Sequence, residues 1–449
     1  MKHELAGRVI KRARLKFVRT PCHLGKFATM VASFGGAFGE IRSVSAGKNF
    51  KIRDVDIHAP SDRTFDDICE RVRGMEGVDL IGVTDVVQEV HEGGKIRVAA
   101  RTPVESVDDL GLIYTPGVAA ICRQIRDEPE LAHRFTTIPN TVAIVTNGTA
   151  ILGLGDIGPV AGMPVMEGKA LLFQLLAGID GVPILIDSHD PDQIVRTVEG
   201  IAPTFGAIKL EDIKAPECFE IESRLDAALD IPVVHDDQHG TAVVVLAALL
   251  NIAEYTYIDL KKSSVGIIGL GAAGTGIFKL LRAFGVKEIY GTDIDEPALE
   301  RFGAAGGKPT DLAGVLAQSK VVIATTGVPG LIKPAAVQPK QVILALSNPD
   351  PEIEPDEAIE AGAAFAADGK GVNNALAFPG LFRGALTARA TRVNNAMKIA
   401  AATAIARFAE GTELVPDILR KEVHEAVAAA VAQAAYRTGV VKHEPDVEG

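Results

Sequence analysis

Apolar and polar positions in the first 90 residues change period in short blocks. Alternating stretches at Arg14 to Val18, Ile41 to Ser45, Phe50 to His58 and Leu80 to Val87 predict strands, and helical periodicity at Leu24 to Phe34 and Thr64 to Gly74 predicts helices. The order is β-α-β-β-α-β, a ferredoxin-like arrangement, with Gly35, Gly36 and Gly39 marking a turn before the second strand. From His91 to Gln124, Gly93, Gly94, Pro103 and Pro116 interrupt any period, which predicts a linker.

Beyond the linker the rhythm changes. Apolar runs at Thr141 to Thr146, Val182 to Asp187, Ala207 to Leu210 and Ile231 to Val234 alternate with helical stretches at Lys169 to Ala177, Pro191 to Ile201, Pro216 to Leu229 and Thr241 to Tyr255. Such alternation predicts a parallel α/β sheet. A second α/β block starts at Ser263, with runs at Val265 to Gly269, Glu288 to Tyr290, Val321 to Thr325, Val342 to Leu346 and Ala364 to Ala367. Two Ala-rich helices, Asn395 to Glu410 and Pro416 to Tyr436, close it, and His443 to Gly449 reads as a frayed tail. The resulting division is 1–90, 91–255 and 256–449, in keeping with about three domains for 449 residues.

Composition narrows the class. Lys plus Arg is 46 against 58 Asp plus Glu, a formal charge of −12, which argues against a nucleic-acid partner. Cys22, Cys69, Cys122 and Cys218 are scattered, so neither a thiolate zinc site nor a disulfide frame is indicated and a reducing, cytoplasmic setting is expected. The most apolar run, Thr241 to Ala253, is shorter than the roughly 18 residues of a membrane span, and the basic start lacks an apolar segment.

Val265 to Gly274 reads Val-Gly-Ile-Ile-Gly-Leu-Gly-Ala-Ala-Gly, a strand entering Gly-x-Gly-x-x-Gly ahead of a helix. Gly269 permits the turn, Gly271 lets the backbone approach a pyrophosphate, Gly274 allows close packing, and Ala272 and Ala273 open the helix whose N–H groups face the phosphates. Asp293 follows the next strand; its carboxylate can accept from a ribose 2′-OH and repel a 2′-phosphate, which favours NAD over NADP, with Asp295 as a rival for the role.

Just past the predicted strand ends of the middle block stand Asn147, Asp187, Glu211 with Asp212, and Asp236 with Asp237. Parallel strands gather such residues in one crevice, where clustered carboxylates call for a hard cation such as Mg²⁺ or Mn²⁺. His235 and His239 flank these acids and read more simply as supporting residues. Lys169 follows two Gly-rich stretches, and at the start of a helix from Ala170 it would sit against the positive dipole end with lowered basicity, a candidate general base. Tyr114 precedes a Pro-Gly turn, and Ser347-Asn348-Pro349 and Asn373-Asn374 supply amides for a substrate carboxylate.

With these residues assembled, the chain resembles a short-form bacterial malic enzyme from about Tyr114 to Asn374. The motifs that carry the resemblance are Tyr114-Thr-Pro-Gly-Val-Ala, Gly153-Leu-Gly-Asp-Ile-Gly, Met166-Glu-Gly-Lys-Ala, Lys209-Leu-Glu-Asp-Ile, Asp236-Asp-Gln-His-Gly-Thr-Ala, the glycine fingerprint, Ser347-Asn-Pro and Asn373-Asn374. The resemblance implies Tyr114 as general acid, Lys169 as general base, Glu211, Asp212 and Asp237 as metal ligands, Asp236 in support, and Asn348 and Asn374 on the substrate. It implies malate oxidised and decarboxylated to pyruvate with NAD, or NADP less readily, and a homodimer or higher homo-oligomer. Ala150 stands where larger eukaryotic members carry a malate-binding arginine. The first 90 residues resemble an ACT domain, which implies an amino-acid or other small effector. A malolactic enzyme, releasing lactate, and an amino-acid-sensing binding protein are the competing readings.

Overall fold

The computed structural model describes residues 9–18, 23–151, 153–411 and 413–442; the tail expected at His443 to Gly449, and Cys22, lie outside them. Two compact units divide at Arg97 and Val98. The first boundary therefore falls a few residues beyond the expected one. The expected boundary at 255 separates no unit.

The N-terminal unit contains β1 (Val9–Val18), α1 (His23–Ser33), β2 (Ala37–Ala46), β3 (Phe50–Ala59), α2 (Asp62–Arg73), β4 (Val78–Asp85) and a short α3 (Val86–His91). The sheet is antiparallel in the order β2-β3-β1-β4. Leu15, Phe27, Val55, Ile57, Phe65 and Ile68 form its fully buried core. On the strands, Arg12 faces Asp56 and Arg14 faces Asp54, and each pair bonds at 2.7 Å. Gly35, at φ +73, ends α1 in the left-handed region, and the Ser61 hydroxyl caps α2 by accepting from Thr64 N–H at 3.1 Å.

The second unit opens with α4 (Val107–Ile113) and α5 (Val118–Asp127), helices where a linker was expected up to Gln124, followed by α6 (Ala132–Phe135). Ser106 and Asp109 form a reciprocal capping box at α4, enough to nucleate a turn despite the surrounding Gly and Pro. Next come β5 (Thr141–Thr146), α7 (Pro159–Ala177), β6 (Asp180–Leu185), α8 (Pro191–Ile201), β7 (Ala207–Leu210), α9 (Glu217–Ala228), β8 (Val233–His235) and α10 (Asp236–Thr256). The four strands are parallel in the order β6-β5-β7-β8. Two helices differ from expectation. α7 starts ten residues before Lys169, since Pro159 is tolerated in a first turn and Gly162 lies against Ile151, where a Cβ would come within 2.8 Å of its Cδ1. α10 starts five residues before Thr241, with Asp236 and Asp237 at its positive end.

The remaining elements are β9 (Ser264–Ile268), α11 (Ala272–Phe284), β10 (Glu288–Thr292), α12 (Glu296–Ala304), β11 (Lys308–Pro309), α13 (Leu312–Gln318), β12 (Val321–Ala324), β13 (Val342–Ala345), α14 (Pro355–Glu360), β14 (Phe365–Asp368), α15 (Phe378–Thr387), α16 (Asn395–Ala406) and α17 (Lys421–Thr438). Their six parallel strands run β11-β10-β9-β12-β13-β14, the doubly wound order of a dinucleotide-binding sheet. One core joins both sheets. α7 and α10 are long and apolar enough to cross a bilayer, but α10 buries Ala242 through Leu249 almost completely among neighbouring helices. Gly276 of α11 brings α10 closest: a Cβ there would stand 2.2 Å from the Gln238 carbonyl oxygen. Phe173 meets Phe378 and Phe382 edge-on at 4.9 and 5.3 Å, tying α7 to α15.

Candidate active site

β7 ends at Leu210 and β8 at His235, so Glu211, Asp212, Asp236 and Asp237 emerge side by side at the carboxyl edge of the sheet. One oxygen from each of Glu211, Asp212 and Asp237 lies within 4.8 Å of the others. Asp237 Oδ2 accepts from Asp212 N–H at 3.0 Å, which fixes the two strand ends together. Asp212 Oδ2 is buried without a hydrogen-bond partner among the described residues. Burial and the charge of Asp237 push the Asp212 carboxyl up to about 7.

Lys169 points at this edge from α7. Its ammonium donates to Asp236 Oδ2 at 2.8 Å and to Asn374 Oδ1 at 3.2 Å, stands 2.9 Å from Glu211 Oε1, and lies over the Phe378 ring. It is the eleventh residue of a 19-residue helix, so the expected helix-start dipole does not act on it; carboxylates surround it instead. Asp236 is completely buried, which alone would raise its carboxyl, yet Lys169 and Lys209 hold it below the ordinary range. Its Oδ1 rests over Gly240, where a Cβ would come within 2.1 Å. The glycine of Asp-Asp-Gln-His-Gly is thus required by the carboxylate four residues before it.

Lys209 figures in the sequence only as part of a motif, and sequence reasoning gave it no role. Completely buried in β7, it contacts Glu211 Oε2, donates to Asp236 Oδ2 at 2.8 Å and lies 4.7 Å from the centre of the Phe378 ring. Burial pushes its ammonium down to about 8. A lysine inside a four-residue apolar strand buried on both faces was the available signal. Four carboxylates against two ammonium groups leave a formal excess of two negative charges, the charge of one divalent cation. The all-oxygen donors and the orphaned Asp212 oxygen fit Mg²⁺ or Mn²⁺ held by Glu211, Asp212 and Asp237.

Other expected groups take different places. Asn147 spends its amide on the Ser188 carbonyl and Thr149, and Asp187 is exposed outside the carboxylate group. His235 Nε2 stands 3.5 Å from Asp237, and His239 binds Glu222, so both support the acids. Asn374 reaches Lys169, whereas the Asn373 carbonyl caps the next turn through Ala375 N–H, and Asn348 is exposed. Tyr114 ends α4 with 70% of its surface exposed and no hydrogen-bond partner for its hydroxyl among the described residues.

The glycine loop has the expected local form. Gly269 has φ +93, and a Cβ at Gly274 would meet the Gly269 carbonyl at 1.8 Å. A Cβ at Gly271 would meet nothing within 4 Å: the space beside the loop is open at the start of α11, where Ala272 and Ala273 present N–H groups without helical acceptors. Asp293 accepts from Leu270 N–H at 2.5 Å and from Asp295 N–H at 3.0 Å, which places its carboxylate against the loop; Asp295 is exposed beside Arg301. These groups fit a dinucleotide. Buried Glu352, also missed, accepts from Thr326 and Ser347 and joins the loops after β12 and β13.

Comparison with known proteins gives consistent relatives. The family model "Malic enzyme, N-terminal domain" matches residues 93–226, "Malic enzyme, NAD binding domain" matches 361–436, and "D-isomer specific 2-hydroxyacid dehydrogenase, NAD binding domain" matches 240–329. NAD-dependent malic enzyme 1 of Bacillus subtilis is 51% identical over 433 residues, covering 96% of this chain and 99% of its own. NAD-dependent malic enzyme of Geobacillus stearothermophilus is 42% identical over 458 residues, covering 96% and 95%. The crystal structure of malic enzyme from Pyrococcus horikoshii superposes with a TM-score of 0.76 at 40% identity, covering 80% of this chain and 92% of that one.

Proposed function

The chain belongs to the malic enzyme family, and on that premise we propose that it converts L-malate and NAD to pyruvate, CO₂ and NADH with a divalent cation. The observation that carries this reading is the Lys169 ammonium set between Glu211, Asp236 and Asn374, beside the three-carboxylate group. When bound, the cation supplies Lewis-acid stabilisation of charge on the C2 oxygen and the dinucleotide accepts the C2 hydride.

As the neutral amine, Lys169 takes the C2-hydroxyl proton, and Glu211, Asp236 and Asn374 stabilise the ammonium that results. Lys209 keeps Asp236 ionised and in place. Asn348, Asn373 and Asn374 offer neutral amides to the substrate carboxylates. Asp293 holds the ribose and disfavours NADP. Tyr114 returns a proton to C3 after CO₂ leaves; its exposure on the single chain supports a site completed by assembly, in line with a homodimer or higher homo-oligomer.

For the N-terminal unit we propose an ACT-like, ferredoxin-like module that binds an amino acid or other small effector. Its strand order and continuous core support that reading. The test of the whole assignment is absorbance at 340 nm with L-malate and Mn²⁺, NAD and NADP in parallel, and pyruvate and lactate assayed at the end. NADH matched by pyruvate is expected, faster with NAD. Lactate without NADH would move the reading to malolactic chemistry, and no turnover with either dinucleotide would leave ligand sensing by the N-terminal unit as the function.

A further inference from the structure

Next to α10, the Lys169 site has a differently charged neighbour. A cavity of about 320 Å³ is lined by His239, Lys279, Arg282, Asn395 and Lys398, with no carboxylate among its lining residues. Lys398 is 7% exposed. Its ammonium donates to His239 Nδ1 at 2.9 Å and forms no ion pair among the described residues. Burial, eased by the charges of Glu222 and Asp226 and made worse by that of Lys279, pushes it down to about 8. The nearest acid is already engaged: Glu222 takes His239 Nε2 at 2.9 Å and His235 N–H at 2.7 Å. Lys279 rests over the Phe219 ring at 5.4 Å, and Arg282 lies over Phe278 and donates to the Gly306 carbonyl; neither has an acidic partner among the described residues.

The cavity also meets the start of α16. Asn394 caps Met397 N–H, which leaves the N–H groups of Asn395 and Ala396 without helical acceptors at the positive end of a 12-residue helix. Three side-chain cations and a helix N-terminus around a small cavity match a phosphate group in charge and hydrogen-bonding sense. On α11 the cavity lining starts at Gly276, five residues or about 7.5 Å along the helix beyond Gly271, and its cations Lys279 and Arg282 lie eight and eleven residues beyond, about 12 and 16 Å. The cationic end of the cavity is therefore separate from the pyrophosphate position.

We propose that this cavity is a second anion site that binds a phosphate group through Lys279, Arg282, Lys398 and the N-terminus of α16. Whatever occupies it touches Lys398 and, through His239 and Glu222, the turn that carries Asp236 and Asp237.

The test is isothermal titration calorimetry of the full chain saturated with NAD and free of divalent metal, so that the glycine loop is filled. Inorganic phosphate and AMP are titrated separately, to distinguish free phosphate from phosphate borne by a nucleotide. Saturable one-site binding is expected in at least one arm, weakened tenfold or more by Lys279→Gln combined with Arg282→Gln, with NAD affinity and malate turnover unchanged. Both substitutions lie at the cavity mouth, and Lys398 is left in place to preserve the fold. Absence of saturable binding in both arms, or equal affinity in the double variant, overturns the proposal.

Discussion

The carboxyl edges of the two parallel sheets solve opposite problems. At the four-stranded sheet, buried charge is packed side chain against side chain: Lys169 and Lys209 both pair with Glu211 and Asp236 beside the Phe378 ring. At the six-stranded sheet the ligand surface is made by leaving side chains out, with Gly269, Gly271 and Gly274 exposing main-chain N–H groups. A site built from mutual charge fails when one member is removed, because the others stay buried and unpaired. A site built from absent side chains fails when something is added.

The largest expected effect breaks the first kind of site. Lys169→Ala should lower kcat by roughly 10³-fold, within the range for losing a general base, with malate KM changed far less. Steady-state NADH formation checks it; a loss under tenfold would remove Lys169 from the chemistry. Lys209→Met should cost about 3–5 kcal/mol of stability, the scale for breaking a buried ion pair, and Mn²⁺ should restore part of it by supplying the missing positive charge. Thermal unfolding with and without Mn²⁺ measures both, and an unchanged melting temperature would show that the lysines do not interlock.

The glycine site offers a sharper contrast. Gly271→Ala should fold like the wild type, since its Cβ meets open space, but weaken NAD binding about tenfold by crowding the phosphates; Gly274→Ala should instead destabilise the fold, because its Cβ meets a carbonyl. NAD titration and thermal melts of the two variants separate these outcomes, and equal behaviour would contradict the assigned roles.

The smallest expected effect is in pH. The Asp212 carboxyl is raised to about 7, so the native metal-free protein holds its proton more tightly than the unfolded chain does. Stability attributable to this group is full below its ordinary value of 3.8 and is lost as pH rises through about 7. A divalent cation competes with that proton, so Mn²⁺ should raise the melting temperature more at pH 8 than at pH 6, by a few degrees. A pH-independent increment would show that Asp212 is not a ligand.

The same contrast explains what the sequence made legible. Strand edges and the acids beyond them follow from period and residue type, so β5, β7 and α8 fell where the pattern placed them. The glycine loop was legible because each glycine has a local reason. Lys209 was hidden because an apolar strand conceals a charge whose partners come from other strands and helices. α7 was misread because its early Gly and Pro residues read as breakers, whereas Pro159 is excused by its place in the first turn and Gly162 by its packing against Ile151. Tyr114 remains the residue whose function a single chain does not display.

Gly276 sets the gauge between these two edges. Because α11 meets the Gln238 main chain there with no side chain between, the distance from dinucleotide loop to metal-bearing turn is dictated by backbone thickness, not by interchangeable packing atoms. With Asp293 in its proposed ribose-binding role, a substitution there leaves this spacing unchanged. Any graft of a foreign nucleotide half onto this catalytic half must carry a glycine at that one crossing to keep the two reactive carbons in register.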